Sequence, residues 1–410
     1  MTRTIDIVIL GAGYGGISCV ARLSRLFRRS TDVRLHLVDR HTYHLLETRL
    51  HERAVRQAEV TIPIARFLAR RSNLTFHLGE VTRIDLDARR VEIDFGARML
   101  AYDHLVIGLG SKTNFYQIPG LEQHAFQLKE LDDSERIRTH TERMFALASS
   151  EPDEEKRREL LRVVIGGGGL TGVELATEMA ERFDALAREY TINPHEPEML
   201  LIEAADRVLP SLDGRQVATS IEAMQAIGVQ ILTGTRVRGM EQRNGRLVVL
   251  REPGEPIPTR TMIWTGGIRI SDLVRTSGAQ TGAQGRVLVD EHLQVQGYPG
   301  VFAIGDNALA INPDTGTVVP TAAQFALQQG YLTATNLFHS IRGRTMRPYR
   351  PKVLGEVVSL GRHLAIGWAS LPLAGRVRFF GFLASLVKRA IAERHLLLLW
   401  REHRAWTGHW

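Results

Sequence analysis

The sequence predicts an α/β protein with two Rossmann-like dinucleotide-binding domains, the second inserted in the first, and a C-terminal amphipathic helical segment. Three observations carry the pair of Rossmann-like domains. An apolar run ends in a glycine-rich turn at "TIDIVILGAGYGG" (4–16), and the same order returns at "LRVVIGGGGLTGVE" (161–174). Each turn is followed by a helically spaced stretch and a second apolar run closed by an acid, Asp39 or Glu203. At 410 residues the chain is long enough for two or three domains.

The elements follow in chain order. "TIDIVIL" (4–10) is a β-branched, nearly continuous apolar run, the pattern of a strand buried on both faces of a parallel sheet. Ile17, Val20, Leu23 and Phe27 then recur at helical spacing, and "VRLHLVD" (33–39) is the next strand. The unit repeats as a strand at 162–166, a helix at 173–187 and a strand at 199–203. Between the copies, 74–116 is strand-rich. The charged stretch 149–160 reads as a solvated helix end or loop, and "VVLREPGEPIPTR" (248–260) as a turn-rich link. "GVFAIGD" (300–306) is a strand ending in Gly-Asp, followed by a helix over 321–338.

The glycine spacing has a mechanism. Gly11, Gly13 and Gly16 match G-x-G-x-x-G, with Gly15 inside the turn, and Gly167, Gly169 and Gly172 repeat the spacing. One glycine makes the tight turn, one lets backbone approach a pyrophosphate, and one packs helix on strand. The phosphates meet the N–H groups and dipole of the helix start. Asp39, with Arg40 beside it, and Glu203 stand where a carboxylate accepts from a ribose hydroxyl. A lone glycine pattern is weak evidence; two copies, each between strand and helix and each with its acid, point to two bound dinucleotides. The acids disfavour a 2′-phosphate, so NADH is expected over NADPH, with Arg207 nearby as the counter-indication.

Composition bounds the rest. The start "MTRTIDIVIL" lacks an apolar segment behind a basic head, so no export signal is expected. No stretch approaches the ~20 apolar residues of a spanning helix. Cys19 is the one cysteine, which leaves no disulfide within the chain. His41, His44, His51 and His363 read as local hydrogen-bonding residues, because no Cys/His/carboxylate cluster has ligand spacing; no metal is expected. Residues 341–410 hold 13 Lys/Arg against 3 Asp/Glu, while the rest of the chain is slightly acidic. Within 376–400, Phe379, Phe382, Leu383, Leu386, Val387, Ala390 and Ile391 recur at helical spacing, and Trp400, Trp406 and Trp410 follow. A basic amphipathic helix with aromatic residues suits a membrane interface, the alternative being a helix packed on the body. Its dense apolar face argues against nucleic acid as the partner.

These residues resemble the two-dinucleotide flavoprotein oxidoreductases, and within them the type II NADH:quinone oxidoreductases. The resemblance spans most of 4–340 and rests on "GAGYGG", "GEVTRIDL", "TNFYQIPGLEQHAFQLKELDDSERIR", "GGGGLTGVELATEMAE", "IEAADRVLPSLD", "MIWTGGI", "VFAIGDNA" and "AAQFALQQG". It implies FAD at the first site, with Asp39 on the adenosine ribose, Val81 against adenine and Asp306 on the ribityl chain. It implies NADH at the second, with Glu203 on its ribose and Glu174 near nicotinamide and flavin. Ala323, Gln324 and Gln328 in "AQFALQ" match the segment beside the isoalloxazine and quinone pocket. The family often has Ala-Thr-Gly where this chain has "GLG" (108–110), and Ala-Gly where it has "GG" (266–267); Gly110 and Gly267 keep a small backbone near the flavin. The stretch 42–55 is more charged than the family's, which bears on the acceptor pocket.

Without the resemblance, Glu174 in the second position of its helix reads equally as a dipole partner, and Gln324 and Gln328 as surface glutamines. Disulfide reductases and sulfide:quinone oxidoreductases use paired cysteines, which one cysteine cannot supply. The expected organisation is an FAD-binding domain over 1–117 and 266–340, an NADH-binding domain over 118–265, and a C-terminal membrane-associating region over 341–410. The expected partners are NADH, a membrane quinone and the membrane surface at its cytoplasmic side, with a homodimer left open. A soluble reductase of a small redox protein and a non-catalytic nucleotide-sensing flavoprotein stay as alternatives. Faster reduction of a protein acceptor than of quinone identifies the first, and absence of steady NADH consumption the second.

Overall fold

The computed structural model describes residues 4–68, 73–243, 245–371, 375–382 and 384–388. Two five-stranded, all-parallel sheets organise it. The first runs in the order Val301–Ala303, His104–Ile107, Ile5–Leu10, Val33–Asp39, Leu74–Leu78. The second runs Phe126–Gln127, Thr261–Trp264, Arg162–Gly166, Glu198–Ile202, Val229–Leu232. In both, the strand that enters a glycine turn lies at the centre and the acid-ended strand beside it. Ile7, Val8, Ile9 and Leu10 are buried on both faces, as a central parallel strand requires.

The repeat goes further than the sequence suggested. Beyond its fifth strand, the first sheet sends out an antiparallel meander of Val81–Asp85, Arg90–Ile93 and Arg98–Ala101. The second sends out Arg236–Arg243, Arg246–Glu252 and Ile257–Pro258 in the same place. The expected link at 248–260 is therefore a hairpin and an edge strand. Val248 and Val249 are both buried, and the Pro and Gly residues that resembled a linker make the turn and the edge. The stretch 149–160 likewise resolves into a loop and the helix Glu154–Leu161. Asp153 starts it by accepting from the N–H groups of Glu155 (3.0 Å) and Lys156 (3.1 Å).

The chain leaves the first unit after 107 and returns after 264. The outgoing and returning segments pair antiparallel, Lys112 with Arg269 and Thr113 with Ile268. The Trp264 indole N–H donates to the Asn114 carbonyl at 2.7 Å across the same junction.

Helix Tyr14–Leu26 lies against helix Ala323–Ile341 on one face of the first sheet. Their backbones meet at glycine: a Cβ on Gly330 would overlap the Gly15 carbonyl oxygen. Cys19 is a fully buried core residue at this crossing.

The C-terminal expectation needs correction. Residues 376–381 are not helical. Gly375–Gly381 is the edge strand of an antiparallel sheet with Gly355–Ser359 and Ala365–Leu371. Arg376, Arg378 and Phe380 face solvent while Val377 and Phe379 are half-buried, a period of two that the 3.6-residue pattern further on had masked. The Arg376 guanidinium lies 3.9 Å from the Trp368 ring centroid, and Arg378 reaches Asp213 at 2.8 Å. Residues 384–388 are helical; Leu383 and 389–410, with Ala390, Ile391 and the three tryptophans, lie outside the described residues. Among the described residues no helix is long and apolar enough to cross a membrane.

Gly330→Ala is expected to force the two helices apart. Overpacking of this kind costs about 1–3 kcal/mol, read as a lower denaturant midpoint at unchanged slope.

Candidate dinucleotide sites

The two glycine turns are built from the same contacts. In the first, Gly11 has φ +93° and its N–H donates to the Val38 carbonyl at 2.8 Å. The Asp39 carboxylate accepts from the Ala12 N–H at 2.6 Å and the His41 N–H at 2.8 Å. In the second, Gly167 has φ +112° and donates to the Ile202 carbonyl at 2.8 Å. Glu203 accepts from the Gly168 N–H at 2.5 Å and the Ala205 N–H at 2.7 Å. A Cβ on Gly16 would overlap the Gly11 carbonyl oxygen, and one on Gly172 that of Gly167. Helix can begin this close to strand only without those atoms.

The helix starts are open. Nothing lies within 4 Å of a Cβ built on Gly13, Gly169 or Gly110. Neither glycine-turn helix has a side-chain cap or an acid in its first turn, so its leading N–H groups face outward as an anion cradle. Both turns fit a pyrophosphate.

Around the first turn the structure gathers most of the residues expected there. Gly110 has φ +68°; its N–H donates to Asn307 Oδ1 (3.1 Å) and its carbonyl accepts from Asn307 Nδ2 (3.0 Å). The Ser111 hydroxyl donates to Asp306 at 2.6 Å. Val81 opens the meander beside Asp39, whose carbonyl takes the Gly79 N–H at 2.9 Å. Gly15 backs onto Ile304, and Ala323 begins the helix alongside. Arg40 pairs with Glu130 of the second unit. The Gly267 carbonyl accepts from the Asn114 N–H at 2.9 Å, and the Tyr116 hydroxyl stands where a Cβ on Gly267 would lie. Arg207 is also occupied, donating to the carbonyls of Leu212 (2.5 Å) and Pro210 (3.1 Å).

Glu174 is five residues into a helix that starts at Leu170, not second in one starting at 173, so the helix dipole does not account for it. Its carboxylate is buried and accepts from the Ser359 N–H (3.1 Å), the Ser359 hydroxyl (3.3 Å) and the Lys388 ammonium. His51 Nδ1 lies 3.5 Å away. Burial alone would raise its pKa; the Lys388 charge, then His51 and the hydrogen bonds, hold it below the ordinary carboxylate range. Gln324 and Gln328 do not touch Glu174. Each clamps the segment leading to Ser359 with both ends of its amide. Gln324 accepts from the Leu354 N–H (3.0 Å) and donates to the Gly355 carbonyl (3.2 Å). Gln328 accepts from the Lys352 N–H (2.9 Å) and donates to its carbonyl (2.8 Å).

Sequence reasoning missed Ser359, Lys388, His51, Glu47 and Lys129. Lys388 falls among the helically spaced apolar residues of 379–391, and nothing local links it to Glu174, 214 residues away. The charges of 42–55 and the neighbouring Arg40 and Arg56 turn out to be paired. Arg40 pairs with Glu130, Glu47 with Lys129, Arg53 with Glu135 (2.6 Å) and Arg56 with Glu178. Each of these four joins the first unit to the second, while Arg49 and Glu52 pair with each other at 2.9 Å. Among the described residues no group of three or more His, Cys, Asp or Glu could hold a metal ion.

His44 and His51 are both buried, His44 donating to the Ala12 carbonyl at 2.8 Å. Burial pushes each down to about 4 from 6.5. The unfolded chain then binds more protons than the native state between pH 6.5 and 4, so stability falls as pH falls through that window. One such histidine costs about 3 kcal/mol by pH 4. Urea midpoints measured from pH 7 to 4 should drop steeply, and His44→Gln should flatten the slope.

The comparisons with known proteins agree with this geometry. The family model described as pyridine nucleotide-disulphide oxidoreductase matches residues 5–330. A type II NADH:quinone oxidoreductase of Staphylococcus aureus is 29% identical over 380 residues, covering 91% of this chain and 92% of the relative. One from Staphylococcus epidermidis is 29% identical over 367 residues, covering 88% and 89%. The solved structure of NDH2 from Plasmodium falciparum in complex with NADH has a TM-score of 0.84 at 19% identity, over 99% of this chain and 97% of that one. With two glycine-turn units in one chain and a family match over most of its length, the chain belongs to the pyridine nucleotide-disulphide oxidoreductase family.

Proposed function

We infer that this chain is an FAD-dependent NADH:quinone oxidoreductase of the type II kind. The observation that carries the reading is the duplicated cradle: two open helix starts, each with a carboxylate locked beside it, in a chain similar over most of its length to enzymes of that name. Bound flavin supplies the redox chemistry, taking hydride from the nicotinamide and giving two electrons to quinone.

The residues divide accordingly. Gly11, Gly13, Gly15, Gly16, Asp39, Val81, Gly110, Asp306 and Ala323 hold FAD, within a domain formed by 1–117 and 266–340. Gly167, Gly169, Gly172 and Glu203 hold NADH, within 118–265. Arg40 and Gly267 support these sites at one remove, through Glu130 and Asn114. Asp39 and Glu203 orient their turn N–H groups and keep lone pairs for ribose hydroxyls. Arg207, committed to carbonyls, offers no second cation for a 2′-phosphate, which favours NADH. On the acceptor side, Gln324 and Gln328 fix the 352–355 segment, and Glu174 fixes Ser359 and Lys388 at its far end.

Cys19 takes no part. It is wholly buried, and burial raises its thiol far above the ordinary range, so it is an inert core residue. Electrons leave to a non-thiol acceptor. The basic C-terminal region supports peripheral attachment at the cytoplasmic side of the membrane, where a lipid-soluble quinone has a route to the flavin.

Purified protein should be yellow with bound FAD, bleach on NADH addition and regain colour with a soluble quinone. Colourless folded protein that takes up no FAD overturns the reading. Glu203→Ala should narrow the preference for NADH over NADPH; an unchanged ratio of kcat/KM means that Glu203 does not face the ribose.

Membrane attachment is tested by ending the chain after Lys388, which keeps the edge strand and the Glu174 partner. The shortened protein should leave the membrane fraction and retain NADH-dependent flavin bleaching. Continued pelleting with membranes places the anchor elsewhere.

A further inference from the structure

We propose that Lys129, held by Glu47, is a positioning charge of the FAD site, carried into the first unit by the chain that enters the second. The proposal rests on the reading that the first cradle holds FAD. Lys129 immediately precedes Glu130, the N-cap of helix Leu131–Ala148 of the second unit. The capping arrangement there fixes its backbone: Asp133 accepts from the N–H groups of Lys129 (3.0 Å) and Glu130 (2.8 Å). From this base the side chain reaches across to the first unit and its ammonium pairs with the Glu47 carboxylate.

The pair adjoins the first cradle through the residue next to Glu47. Thr48, next to Glu47, shares a 2.9 Å hydrogen bond with the hydroxyl of Tyr14, the first residue of the glycine-turn helix. Asp306, which accepts from the Ser111 hydroxyl, also favours the charged form of Lys129. Burial works against the ammonium, but Glu47 and then Asp306 outweigh it and keep the group charged throughout the physiological range.

Stability alone is a poor reason for this arrangement. The Lys129 side chain is 13% exposed and that of Glu47 44% exposed. Withdrawing a lysine from water to pair it costs about as much as the pairing returns. A fixed cation beside a redox cofactor has another effect: it favours the form that carries more negative charge, and a neighbouring carboxylate reduces that effect. Because Lys129 belongs to the 118–130 entry segment, the charge is in place only when the two units are docked. The Arg40–Glu130 and Arg53–Glu135 pairs hold that docking.

The test is the midpoint potential of the bound flavin, measured spectroelectrochemically on the full-length holoprotein. Lys129→Met should lower it and Glu47→Gln should raise it, each by at least a tenfold change in the two-electron equilibrium, ~30 mV. Lys129→Arg should stay within a few millivolts of the natural protein, roughly a tenth of that shift. FAD affinity, followed by flavin fluorescence after dialysis, should fall about tenfold in Lys129→Met, since a dinucleotide is anionic. If Lys129→Met fails to fold, Glu47→Gln and Lys129→Arg decide the matter alone. Shifts of the same sign in Met and Gln variants, or bound FAD with an unchanged potential, overturn the proposal and leave the assigned function intact. Absence of FAD from the natural protein overturns the functional reading instead.

Discussion

A carboxylate at the end of a strand, accepting the first N–H groups of the preceding glycine turn, is the contact on which both halves of this molecule depend. Asp39 does this for Ala12 and Glu203 for Gly168. The bond ties the second strand of each unit to the turn after the first, so that the helix start points its free N–H groups outward. It works only because Gly16 and Gly172 lack a Cβ. Two constraints thus meet in each turn: a backbone conformation open to glycine and an acid of the right reach. Asp and Glu both satisfy the second, at distances of 2.6 and 2.5 Å.

With the turns fixed, the remaining geometry is a matter of joining two units that repeat each other strand for strand. The joint is electrostatic on one side and covalent on the other. The outgoing and returning chains pair at Lys112 and Arg269, while the charged stretch from Arg40 to Arg56 pairs with acids and a lysine of the second unit. Isolated surface pairs contribute little stability. A row of them with fixed partners instead specifies one relative placement, which hydride transfer between two bound dinucleotides demands.

The fold class was legible because its signals are local. A buried parallel strand, a glycine turn and an amphipathic helix each announce themselves within a dozen residues, and the repetition removed the ambiguity of a single copy. Errors arose where two periods overlapped or where composition misled. Arg376 to Gly381 alternates as a strand but adjoins a helical pattern, and Pro253–Gly254 looked like a linker although the flanking valines pair in a sheet.

The sequence by itself determined the two glycine turns, the acids that close the strands after them, and the lack of a second cysteine. Each of these follows from residue type and short-range spacing. Only the tertiary structure decided the company that Glu174 keeps, the clamp made by Gln324 and Gln328, and the pairing of Glu47 with Lys129. The physical reason is separation along the chain. Glu174 meets Ser359 and Lys388 from 185 and 214 residues away, and Glu47 meets Lys129 from 82. No local propensity encodes such a meeting; it exists once packing has brought the elements together.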